Sequence, residues 1–75
     1  MVILMKSGAD ERQLNAVITA IVELRKKHHV EPFNKKEVSA MILVDGKIGK
    51  KRFESFKNLE GVNSVLDIEV KIKFG

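Results

Sequence analysis

Val2-Ile3-Leu4-Met5-Lys6-Ser7-Gly8-Ala9-Asp10-Glu11 decides how the rest of this sequence is read. Val2–Lys6 is a short apolar run stopped by Ser7-Gly8, the pattern of a buried strand ending in a turn. Asp10 and Glu11 then put negative charge where the positive end of a helix dipole would lie. From there Leu14, Val17, Ile18, Ile21 and Leu24 recur at helical spacing, with Val22 at the edge of the arc. This predicts an amphipathic helix of about four to five turns, closed by Arg25-Lys26-Lys27 in its last turn.

Moving outward, His28–Phe33 carries the single proline, Pro32. A proline cannot donate to a strand ladder, so this segment is expected to be an edge strand or a strand end. Asn34-Lys35-Lys36 reads as a turn, Glu37–Val44 as a second apolar strand and Asp45-Gly46 as the turn that ends it. Lys50–Asn58 places Phe53, Phe56 and Leu59 on one helical face, with Gly61 as the stop. Leu66, Ile68, Val70, Ile72 and Phe74 then alternate with Asp67, Glu69, Lys71 and Lys73, which predicts a long strand with one dry and one wet face.

The order strand, helix, strand, strand, helix, strand is that of an α+β, ferredoxin-like split βαβ plait. It predicts a four-stranded antiparallel sheet with two helices on one face, all in a single domain spanning 1–75. Right-handed crossovers put the first and third strands in the centre, and Pro32 falls on an edge as it should. The length allows one domain, and a chain this short buries only about 60% of its unfolded surface. Hydrophobic residues make up 44% of the chain, enough to expect a globule rather than disorder.

The first and third strands are apolar on both faces. Ile3 and Met5 point one way and Val2 and Leu4 the other; Met41 and Leu43 oppose Ala40, Ile42 and Val44. Two helices cover one face, so the other is expected to expose an apolar interaction surface. Ile3, Met5, Met41 and Leu43 are the residues expected there. Val70, Ile72 and Phe74 are expected to overhang as an unpaired edge that invites a second copy of the chain.

Several chemistries are excluded or disfavoured. The sequence has no cysteine, so disulfides, zinc thiolates and thiol nucleophiles are absent. His28 and His29 are adjacent, and in a strand they point to opposite faces, which is poor for one metal. No Ser, His and carboxylate arrangement suggests a nucleophile, and Ser7 reads as a loop residue. The expectation is a protein that is not an enzyme and has no metal or cofactor. No run approaches the ~20 apolar residues of a membrane span, and no signal-peptide pattern opens the chain, so the cytoplasm is expected. The net charge of +4 and the clusters Arg25–Lys27, Lys35-Lys36 and Lys50–Arg52 would attract phosphates. The first and third strands carry no aromatic on which a base could stack, which argues against specific nucleic-acid recognition. Asp45-Gly46-Lys47-Ile48-Gly49-Lys50-Lys51 lacks the spacing of a phosphate-binding loop and reads as a strand-to-helix turn.

Met1–Leu14 and Phe53-Glu54-Ser55-Phe56-Lys57-Asn58-Leu59-Glu60-Gly61-Val62-Asn63-Ser64-Val65 together resemble the N-terminal ferredoxin-like domain of one class of 3-deoxy-D-arabino-heptulosonate 7-phosphate (DAHP) synthase. In that family a short helix leads into a Gly-Val-x-x-Val strand in the same way. The resemblance implies a regulatory module of aromatic amino acid biosynthesis, one that mediates feedback by an aromatic amino acid and contributes to subunit contacts. It implies ligand-binding loops at Ser7-Gly8 and Asp45-Gly46. None of the family's catalytic residues is carried over, because its barrel is not among these residues. Two alternatives stand beside it: a small basic nucleic-acid-binding protein, and an inhibitor or chaperone resembling subtilisin propeptides, which share the plait and the Gly-Val-x-x-Val signature.

Overall fold

A computed structural model describes residues 1–73. Its elements are β1 (Val2–Lys6), α1 (Glu11–Glu23), β2 (His28–Lys35), β3 (Val38–Val44), α2 (Lys50–Lys57) and β4 (Val62–Leu66). The four antiparallel strands form one open sheet in the order β2-β3-β1-β4. This is the ferredoxin-like βαββαβ arrangement that the element order predicts, with Pro32 on an edge strand.

The registers divide the sheet into two faces. On one face the rows run Val30–Ile42–Ile3–Val65 and Pro32–Ala40–Met5–Val62 across the four strands. Ile3, Met5, Ile42, Val62 and Val65 from these rows pack with Val17 and Ile21 of α1 and Phe56 of α2 into one buried cluster. Both helices therefore cover this face. Burying each such side chain is worth about 1.5–3 kcal/mol, so this layer supplies most of the driving force for folding.

α1 begins where the acidic pair predicts. Asp10 is the N-cap: its Oδ1 accepts from the Gln13 backbone N–H at 2.8 Å, and Gln13 Oε1 accepts from the Asp10 N–H at 3.1 Å. Two otherwise unpaired donors are satisfied reciprocally. The same Gln13 side chain donates from Nε2 to Glu60 at 2.9 Å, tying the start of α1 to the turn before β4. Gly61 completes that turn at φ +86°, and a Cβ there would stand 2.9 Å from Gln13 Oε1.

Three sequence-based boundaries need correction. α1 stops at Glu23 and has no basic residue in its last turn. Arg25 takes a left-handed φ of +58°, which ends the helix and turns Lys26-Lys27 toward β2. β2 runs on to Lys35, so the turn falls at Lys36-Glu37 rather than at Asn34–Lys36.

The third correction is the largest. The fourth strand is Val62–Leu66, not the alternating stretch from Leu66 onward. β1 supplies partners only from Val2 to Met5, and the Val2–Leu66 pair is the last of that ladder. Beyond it the chain turns, with the Ile68 N–H donating to the Leu66 carbonyl at 2.9 Å. The strand-type pairing of residues 67–73 is limited to an isolated bridge between Val70 and Gly46. Val70 and Ile72 are therefore half-buried tail residues rather than an overhanging strand edge, and Phe74 lies outside the described residues.

No helix among the described residues is long and apolar enough to cross a membrane.

Candidate interaction surface

The open face of the sheet carries the rows His29–Leu43–Val2–Leu66 and Glu31–Met41–Leu4–Ser64. Lys6 and Lys35 each pair with Val38 beyond irregularities in the β1–β3 and β2–β3 ladders. Neither helix covers the side chains of the two rows. Val2 is nevertheless only 6% exposed. Leu4, Met41 and Leu43 are half-buried, and Leu66 at the β4 end is 38% exposed.

Met41 and Leu43 thus lie on the open face, as expected from the sequence. Ile3 and Met5 do not. They are 0% and 1% exposed within the helix-side core, because Ile3 pairs with Ile42 and Met5 with Ala40. The side chains of β1 that accompany Met41 and Leu43 are Leu4 and Val2. The sequence established the alternation within each strand but not which set of β1 shares a face with which set of β3. Only the register settles that. Val2, Leu4 and Leu66 are the residues that sequence reasoning missed; for Val2 and Leu4 the available signal was their place in a strand that is apolar on both faces.

The face is electrically lopsided. His29 and Glu31 face each other across 2.5 Å on β2, and Lys6 and Lys35 stand at the end where β3 begins. Toward β4 the row ends in Ser64 and Leu66, and β4 as a whole, Val62-Asn63-Ser64-Val65-Leu66, has neither charge nor proline.

The two turns expected to hold a ligand do not come together. Ser7-Gly8 follows β1 at the end where β3 begins, and the Ser7 N–H donates to the Glu37 carbonyl at 3.0 Å. Asp45-Gly46 lies at the opposite end of the sheet, next to Met1. There the chain's own tail occupies both residues: the Gly46 N–H donates to the Val70 carbonyl at 2.7 Å, and Asp45 Oδ1 accepts from the Ile72 N–H at 2.7 Å. The Met1 α-amino group donates to the carbonyls of Val44, Gly46 and Ile68 at 3.1, 3.0 and 2.6 Å. Burial pushes this amine below its usual pKa, against the opposing pull of Asp67 and Asp45. His28 and His29 fall on opposite faces, as their adjacency predicts, and among the described residues no group of three or more His or acidic side chains could hold a metal ion.

Comparison with protein-family models, with curated proteins and with solved structures gives no match, so the reading of this surface rests on its geometry and on the sequence.

Proposed function

We propose that this protein is a non-catalytic interaction module that binds a second copy of itself through the outer edge of β4 and the adjoining apolar row of the open face. The observation that carries the reading is the exposed Leu66 at the end of the Leu43–Val2–Leu66 row, on an edge strand that lacks charge and proline. Such an edge presents unpaired backbone groups to any strand that approaches. A strand pairing antiparallel with its own copy satisfies two-fold symmetry, with Ser64 near the axis and the open faces continuous across the join. A short edge alone is small against the roughly 800 Å² per partner of a stable interface, so the apolar row has to contribute.

The resemblance of Met1–Leu14 and Phe53–Val65 to the regulatory domain of DAHP synthase supports the same class of role, that of a regulatory domain making subunit contacts. An aromatic amino acid gripped jointly by Ser7-Gly8 and Asp45-Gly46 is not part of the proposal, because the two turns stand at opposite ends of the sheet in one protomer.

The test is sedimentation of the wild-type protein and of Ser64→Lys. Near the axis the introduced lysines would oppose one another across the join, and like charges directly opposite are destabilising. A concentration-dependent dimer in the wild type that Ser64→Lys abolishes is the expected result. A wild-type protein that stays monomeric at every concentration the sample tolerates overturns the reading.

A further inference from the structure

Arg25 and Lys26 lie in the turn after α1, and Lys47 and Arg52 belong to the β3–α2 connection and the start of α2. In the sequence these are separate basic clusters, each readable as solvated charge. In the fold they line one concavity of about 310 Å³, together with Leu24, Ile48 and Gly49. Glu23 is the one carboxylate residue on the lining beside the four cations. None of the four shares in an ion pair among the described residues. Lys26 is half-buried and reaches across the neighbouring turn, where its Nζ would stand 3.2 Å from a Cβ at Gly46. α2 starts at the rim with Gly49 as N-cap and no side chain capping it.

Bringing four like charges around one hollow costs electrostatic free energy that a dianion would recover. The two guanidinium groups supply the planar fork that matches phosphate oxygens, and the two ammonium groups add point charge. We propose that this notch binds a small phosphate-bearing ligand, such as a phosphate ester or diphosphate. A nucleic-acid strand is the less suitable occupant: the four cations gather at one concavity, and the open face offers no aromatic platform for bases. The site lies on the helix side of the sheet, at the end where β3 finishes, and it does not rest on self-association through β4.

The experiment is an amide NMR titration with inorganic pyrophosphate at fixed ionic strength. Saturable shifts confined to the segments around Leu24–Lys26 and Lys47–Arg52 are expected. The double variant R25Q/R52Q should weaken binding about tenfold or more, the scale of lost charge-assisted hydrogen bonds. K35Q/K36Q removes the same charge away from the notch and should leave the affinity close to wild type. Both variants are first checked for a native spectrum; if R25Q/R52Q is not folded, R52Q alone replaces it. Shifts spread over all basic segments, equal weakening by the two variants, or no saturable shift would overturn the proposal. So would an oligonucleotide that binds more tightly than pyrophosphate and is weakened equally by both variants, since that marks a general polyanion surface.

Discussion

Ile3 and Leu4 are neighbours in the same strand, of similar size and hydrophobicity, yet they have different partners. Ile3 is sealed between Ile42, Val65 and the two helices, whereas Leu4 sits half-buried on a face with no second layer. The same split runs through β3, where Ile42 and Val44 are enclosed and Met41 and Leu43 are not. A sheet with helices on one side spends about half of its apolar side chains on a core and leaves the rest available for a partner. The contrast therefore separates residues that hold the fold from residues free to recognise something.

The largest expected effect tests that separation directly. Ile3→Ala should destabilise the protein by about 2–5 kcal/mol in chemical denaturation, because it leaves a cavity in a closed layer. Leu4→Ala should cost clearly less under the same conditions. Equal losses would mean that the open face is as enclosed as the core, and the comparison would break.

The next effect concerns what fixes the helices to their side of the sheet. Gly61→Ala should cost about 1–2 kcal/mol from the left-handed backbone alone, and more if Gln13 cannot move from the new methyl group. Pairing it with Gln13→Ala removes the Oε1 and Cδ contacts at 2.9 and 3.2 Å but keeps the Gln13 Cβ 3.0 Å from the new methyl group, so thermal unfolding of the double variant should show only part of the contact cost relieved. Asp10→Ala removes the α1 cap and should cost about 1 kcal/mol, with faster hydrogen exchange in the first turn of α1 as its local sign.

The smallest effect on stability belongs to the open face. Leu66→Lys should change the unfolding free energy by less than about 1 kcal/mol, as substitutions at exposed positions do. It should nevertheless weaken self-association measured by sedimentation. A large stability loss from Leu66→Lys would move Leu66 from the recognition set to the core set.

Much of this was legible in the residues. Asp10 with Glu11, the helical spacing of Val17 and Ile21, Pro32 and Gly61 each carry a local rule that the fold obeys, and together they give the element order. The stretch from Leu66 to Lys73 obeyed a local rule as well, alternation, and was misread because alternation describes any extended chain. Pairing needs a partner, and β1 offers none beyond Val2. The true strand, Val62–Leu66, shows no clean alternation because an irregularity beside Asn63 interrupts its pairing with β1. The notch at Arg25, Lys26, Lys47 and Arg52 was illegible for a different reason: its halves are more than twenty positions apart, and only the meeting of the α1–β2 turn with the β3–α2 connection makes them one site.

By itself the sequence determined the kind and order of the elements, because helix caps, turn glycines and apolar periodicity are short-range physics. The tertiary structure alone decided which apolar set of β1 became core, where β4 ends and which cations share a hollow. Register, strand length and the approach of distant loops are set by what each segment meets, and no stretch of residues carries that information alone.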